Sequence, residues 1–423
     1  MKHLPKALNT IIGDGGLLLF ESFARGLGTF VALSVLARNV STQDFGLVNF
    51  WLVIMAAASR FVAMGLGTLI FPRVIKAPIL QNGYINTIFS IRLLLWVFSA
   101  LLVTPFLFFL SPSHTIPVII IGMVLLAEIP MVHRDIIAAC GNIKLIALGG
   151  LLYLFYVVSI CVYLFANDNV DWLSGLLAIA FARIILGFYY FLIGRGSPSS
   201  SLSVVKLIAD WRSKIYRRIV ILKSVSFIFL GDILSVLSTG LLVIVLGALS
   251  ITEELGYYAA AMRVYMLMIV LPSVFSNAYY RYLANMDISP RNMVFWGCSI
   301  YSLSFLIAFP ICFAFRYDIM SLLFGKEFAR AGDALLPLLF AALFFSFRSI
   351  YNKRLIASDN MRFIAVNSLI LFLVMAIFIV ICIFIENYEL SFWSLTFSEI
   401  VVFCAVVLNA RQRKAIFGPA HEK

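Results

Sequence analysis

Charge is what this sequence has least of. Asp, Glu, Lys and Arg make up 12% of its 423 residues, against about 25% in an ordinary soluble domain. Hydrophobic residues make up 63%, too many for a soluble chain to cover with polar surface. That excludes a soluble enzyme, a disordered scaffold and a nucleic-acid-binding domain. Histidine is almost as scarce. Of four, His3 and His421 stand at the ends and His114 and His133 near loops, so a metal or catalytic histidine is not expected. The six cysteines, Cys140, Cys161, Cys298, Cys312, Cys382 and Cys404, lie in or beside apolar runs without metal-ligand or C-x-x-C spacing, so no disulfide framework is readable. There is no Ser/His/Asp set and no Gly-rich phosphate loop. No cofactor is expected.

What is present is a series of long apolar runs. A spanning helix needs about 20 apolar residues. Twelve such runs are readable: 11–37, 44–71, 84–110, 116–138, 144–166, 172–194, 220–248, 257–283, 292–315, 332–352, 363–385 and 390–410. In lipid each backbone polar group needs an internal partner, so these runs form helices. A membrane barrel would show short alternating segments instead. The first run is long enough to span rather than to serve as a cleaved signal. The expected fold is therefore an all-α polytopic membrane protein of about 12 transmembrane helices.

Positive charge sets the orientation. With the N-terminus in the cytoplasm, 21 Lys and Arg fall in the inner segments or at the inner ends of the spans, and four (Arg38, Arg316, Lys326, Arg330) fall outside. Both termini are expected inside. The split accounts for most of the net charge of +12, and no nucleic-acid partner is needed.

The longest break, 195–219, begins with a Gly-Ser-Pro-rich stretch. Val204, Leu207, Ile208, Trp211 and Ile215 then recur at helical spacing among Lys206, Lys214, Arg217 and Arg218. This pattern suits an amphipathic helix on the cytoplasmic face. It divides the chain into residues 1–194, a linker 195–219, and residues 220–423. The two outer parts look like repeats. Ser41-Thr42-Gln43-Asp44-Phe45-Gly46 resembles Ile251-Thr252-Glu253-Glu254-Leu255-Gly256, and Ala139, Asn142, Lys144, Ile146 and Ala147 match Ala357, Asn360, Arg362, Ile364 and Ala365. Six spans per half is an even number, so the repeats are parallel, related by an axis along the membrane normal.

Charges inside spans are costly and mark cavities or partners. Glu21 and Arg25 are four residues apart and can pair on one helix face. Arg60 sits near the middle of its run with no acidic neighbour in sequence, which points to a water-filled cavity or a bound anion. Arg92 can snorkel or face the cavity. Glu128, followed by Pro130, can pair with an arginine such as Arg183 or take up a proton. Asp232 can exchange a proton, bind Na⁺, or pair with Arg263. Arg348 reads as an inner anchor and Glu399 as structural. Six basic residues stand against four acidic ones, which favours an anionic cargo. The longest outer loop, 316–332, holds about 16 residues, too few for a membrane polymerase or glycosyltransferase site.

Three segments carry a resemblance. Ala37-Arg38-Asn39-Val40-Ser41-Thr42-Gln43-Asp44-Phe45-Gly46, Gly256-Tyr257-Tyr258-Ala259-Ala260-Ala261-Met262-Arg263-Val264, and Leu323-Phe324-Gly325-Lys326-Glu327-Phe328 resemble corresponding segments of Wzx-type O-antigen and polysaccharide lipid flippases. These belong to the multidrug/oligosaccharidyl-lipid/polysaccharide exporter superfamily. The resemblance implies two six-helix bundles in a V around a central cavity (MATE/MOP-like), in the bacterial inner membrane. It implies flipping of undecaprenyl-diphosphate-linked glycan by alternating access, coupled to H⁺ or Na⁺, alongside the polysaccharide polymerase and chain-length machinery. A cationic cavity of Arg25, Arg60, Arg263 and Arg92 would hold the diphosphate. Glu21, Glu128 and Asp232 are the candidate couplers. The alternatives are a multidrug exporter of the same superfamily, a membrane enzyme of polysaccharide assembly, and a peptidoglycan-precursor flippase, which often has fourteen spans.

Overall fold

The computed structural model describes residues 4–67, 81–110, 115–139, 142–166, 171–195, 215–249, 251–283, 290–357 and 360–417. Every regular element among them is helical. In the first half these are α1 (Leu4–Ala37), α2 (Thr42–Ala63), α3 (Gln81–Leu110), α4 (Thr115–Ala127), α5 (Met131–Ala139), α6 (Ile143–Ala166) and α7 (Trp172–Arg195). The second half has α8 (Ile215–Ala248), α9 (Thr252–Leu283), α10 (Pro290–Ala314), α11 (Arg316–Phe324), α12 (Gly332–Ala357), α13 (Arg362–Phe384), α14 (Tyr388–Ser391), α15 (Ser394–Leu408) and α16 (Ala410–Phe417). A 3₁₀ turn, Lys326–Ala331, joins α11 to α12. Ten helical segments among the described residues are long and apolar enough to cross a membrane, and α3 and α9 occupy the positions of the other two expected spans. Exposed apolar side chains such as Phe155, Leu303 and Phe384 cover the outside, a surface suited to lipid and not to water. Of the expected amphipathic linker, residues 196–214 lie outside the described residues, and Ile215 already opens α8.

The packing repeats as the sequence does. In the first half α1 packs on α6; in the second, its counterpart α8 packs on α13. Between the halves α1 packs on α9 and, reciprocally, α8 on α2, while α2 and α9 meet directly. Reciprocal contacts of this kind are what a two-fold relation between parallel repeats produces. The local turns repeat too. Asn142 N–H donates to Ile137 O at 3.1 Å, and Asn360 N–H to Leu355 O at 2.8 Å; Leu145 N–H donates to Asn142 O, and Phe363 N–H to Asn360 O.

The matched segments 41–46 and 251–256 face each other across this relation. Ser41 caps α2 by accepting from Asp44 N–H, as a serine at this position does. One turn on, Gly46 lies against Leu255 and Gly256, and Gly256 lies against the Thr42 carbonyl. Only hydrogen fits between these backbones. Around them Phe324 and Phe328 pack on Phe45, with ring centroids 6.0 and 5.2 Å away, and Phe324 also meets Phe30 at 5.7 Å. Arg38 donates to the Leu322 carbonyl. All three of the segments quoted in the sequence thus take part in one junction between the two halves.

Two span readings change. The fourth span is broken, because Pro130 has no N–H to continue the helix; α4 ends at Ala127 and α5 begins at Met131. The second span is interrupted: Met64 (φ 48°) and Gly65 (φ 63°) turn into the left-handed region, Met64 N–H closes on Arg60 O, and helix resumes at residues 66–67, beyond which the rest of the expected run lies outside the described residues. Arg60 lies in the last turn of α2, just before this break, and is exposed.

Candidate functional site

Close backbone approach builds the first charged cluster. Gly150 on α6 brings that helix against the backbone of Glu21, and Glu21 is fully buried. Its carboxylate forms ion pairs with two guanidinium groups, and the second of them also donates hydrogen bonds to it. Arg25 Nε lies 2.8 Å from Oε1. Arg134 contributes Nη2 at 2.8 Å to Oε2 and Nε at 3.2 Å to Oε1. Asp135 extends the chain, 3.6 Å from Arg134 and 3.3 Å from Arg92. The pairing of Glu21 with Arg25 follows the sequence expectation. Arg134 and Asp135 are additions that the sequence did not single out. Their signal was the break itself: once Pro130 ends α4, the next helix re-aims its first residues inward.

That break also explains Arg92. Val132 N–H turns to Ile129 O, which leaves Glu128 O without its usual helical donor. Arg92 Nη1 supplies it at 3.0 Å. Arg92 is buried, with 3% exposure, and its described partners are the Glu128 carbonyl at the helix break and Asp135. Glu128 enters the cluster through its carbonyl; its carboxylate forms no ion pair among the described residues, and Arg183 is not its partner.

Asp232 does not pair with Arg263. The charged groups that bear on it are Arg60, from the first half, and Lys353, from α12. Gly65 lies beside it, with room for a methyl group only 3.6 Å from Oδ2. Two cations and one carboxylate, drawn from α2, α8 and α12, therefore converge near the C-terminal end of α2. Arg348 is not a surface anchor. It lies 2.6 Å from Glu399 in a buried pair and donates to Ser235 Oγ at 3.3 Å, holding α12, α15 and α8 together. Arg263 donates instead through Nε to Asn49 Oδ1 at 2.6 Å, across the two halves.

A surface cavity of about 1190 Å³ lies at the junction between residues 37–41 and 315–327. It contains none of these buried charges. Among the described residues no cluster of His, Cys, Asp or Glu could hold a metal ion.

No family model matches the chain, and no curated protein matches it either. Solved structures do. A MOP-superfamily transporter from Pyrococcus furiosus, described as having a binding pocket of reversed polarity, superposes with a TM-score of 0.70 at 13% identity, covering 96% of each chain. The MATE multidrug transporter DinF-BH, solved as a complex, gives 0.67 at 16% identity over 97% of this chain and 96% of that one. The eukaryotic MATE transporter AtDTX14 gives 0.63 at 12% identity over 97% of each. This chain has the MATE transporter fold. At these identities the likeness carries the fold and leaves the cargo open, since cargo is set by side chains and not by topology.

Proposed function

We propose that the protein is a flippase that moves an undecaprenyl-diphosphate-linked oligosaccharide from the cytoplasmic to the outer leaflet of a bacterial inner membrane, both termini being cytoplasmic. The observation that carries this reading is the surplus of positive charge on the helices where the halves meet. Arg25, Arg60, Arg263 and Lys353 lie on α1, α2, α9 and α12. Glu21 is already shared by two guanidinium groups, so Asp232 is the one carboxylate of this set left to oppose them. Guanidinium groups bind phosphate oxygens in pairs, and the polyprenyl tail can remain in lipid while the headgroup crosses.

Of the three candidate couplers, Asp232 is best suited to an H⁺ or Na⁺ step. It lies half-buried between cations of both halves, whereas Glu21 is committed to two arginines. Alternating access would break and remake the outer junction. The polysaccharide polymerase and chain-length proteins would act on the product. The second reading, a multidrug exporter, is favoured by structural neighbours that are multidrug transporters. It requires a net acidic cavity.

Cells lacking the protein decide between them. Diphosphate-linked glycan, quantified by mass spectrometry, should accumulate in the inner leaflet and disappear with a plasmid copy but not with an Arg60→Ala copy. Changed drug sensitivity without glycolipid accumulation would give the exporter reading.

A further inference from the structure

The last described helix has two sides of opposite chemistry. α15 ends at Leu408, and Asn409 turns the chain with an extended backbone (φ −77°, ψ 106°). The Asn409 side-chain oxygen accepts from Arg411 N–H at 3.0 Å and from Gln412 N–H at 3.1 Å, as a helix N-cap does, and α16 begins. Gln412 and Ile416, one turn apart, are buried. Ile416 joins the apolar core formed by Val294, Leu355, Ile364 and Val406. Gln412 Nε2 donates to Asn367 Oδ1 of α13 at 3.2 Å, and Arg354 Nε of α12 donates to Ile416 O at 3.3 Å. α16 is thus docked on the second half, at the far end of α12 from the junction.

The other side is cationic. Arg411 and Arg413 flank Gln412 and are exposed, and residues 405–417 contain no Asp or Glu. Arg362, exposed at the first position of α13, stands five residues before Asn367, so the bond from Gln412 to Asn367 sets it at the same end of the bundle. None of the three forms an ion pair among the described residues. Apolar side chains border them. Leu408, three residues before Arg411, is 79% exposed, and Val366 and Leu369 are exposed one and two turns after Arg362. On spanning helices such side chains are covered by acyl chains, so the arginines begin within a few residues of hydrocarbon, at the depth of lipid headgroups.

We propose that α16 and the start of α13 form a binding site for the headgroup of an anionic phospholipid, with Arg362, Arg411 and Arg413 as its phosphate ligands. The bond from Gln412 to Asn367 holds the ligands together. Guanidinium groups take phosphate oxygens in pairs, and the acyl chains would lie on Leu408, Val366 and Leu369. A free phosphate would meet the cations and leave these apolar side chains uncovered, so a lipid fits the whole surface. Once bound, it would clamp α16 onto the second half and stiffen that end of the bundle. The site is separate from the cargo and does not depend on which cargo is carried.

The test uses the full-length protein in nanodiscs of phosphatidylcholine alone or mixed with phosphatidylglycerol. Two quantities are read: the unfolding temperature, and the phosphatidylglycerol retained on the protein in native mass spectrometry. Phosphatidylglycerol should raise the unfolding temperature of the wild type. Each arginine removed should weaken retention by about fivefold. Arg411→Gln with Arg413→Gln should therefore lose most of the rise, while unfolding as the wild type does in phosphatidylcholine alone. Gln412→Ala keeps all three charges and should still lose retained lipid, which a diffuse attraction to surface charge would not. Lys144→Gln removes an exposed cation at the matching position of α6 in the first half and should change neither reading. The proposal is overturned if phosphatidylglycerol leaves the wild type unchanged, if the double variant keeps the full rise, if Gln412→Ala retains lipid as the wild type does, or if Lys144→Gln loses as much as the double variant. Inorganic phosphate giving the same rise in phosphatidylcholine would also overturn it, because the ligand would then be a free anion.

Discussion

Gly256→Ala should push the two halves apart where segments 41–46 and 251–256 meet. A methyl group there would overlap the Thr42 carbonyl oxygen and lie 2.9 Å from its carbon. Ordinary contact between carbon atoms is about 3.5–4.0 Å, so the backbones must separate by roughly 0.6–1 Å. The obstacle is backbone, and no side chain can rotate away. Overpacking of this size costs about 1–3 kcal/mol. Alanine returns up to about 1 kcal/mol in helix propensity, which stabilises α9 in either state of the junction. The closed junction is therefore weakened by about 1–3 kcal/mol relative to an open one, a shift of roughly fivefold to a hundredfold in that equilibrium. Spin labels at Asn39→Cys and Glu327→Cys, exposed positions on opposite sides of the junction, in a background without the native cysteines, would read the distance distribution. The longer-distance population should grow in Gly256→Ala. Gly46→Ala should show a smaller change, because its methyl group meets the flexible Leu255 side chain first, at 2.9 Å. Gly122→Ala, with nothing within 4 Å, should show none. An unchanged distribution in Gly256→Ala would refute the assignment of this contact as the seal.

The buried ion pairs give three more outcomes, each measured by thermal unfolding in detergent. Glu21→Ala leaves two guanidinium groups without their shared carboxylate and should cost about 3 kcal/mol, at the lower end of the range for a broken buried pair, because Arg25 is one-third exposed. Glu399→Ala should cost about 3–5 kcal/mol by stranding Arg348, while the double change Arg348→Met with Glu399→Leu should recover most of it; a double variant as unstable as the single one would show the charges themselves to be required. Arg92→Met should cost about 1–3 kcal/mol by leaving Glu128 O unserved and Asp135 with Arg134 alone. Adding Pro130→Ala should restore part of that loss, since a continuous helix returns Glu128 O to Val132 N–H, and strictly additive effects of the two changes would count against the break as the reason for Arg92.

Helix number and repetition can be read along the chain because each depends on local composition. Twenty apolar residues must span, and repeats copy their turns, as Asn142 and Asn360 do. The pairing of Glu21 with Arg25 was legible for the same reason: four residues on a helix are one turn. Tertiary structure decided the rest. Where Arg92 finds its partners depended on where Pro130 left a carbonyl. Whether Asp232 met Arg263 or Arg60 and Lys353 depended on the rotation of helices more than a hundred residues apart in sequence. Local chemistry chooses the element, whereas the sum of charges at a point in the bundle exists only after packing brings distant helices to it.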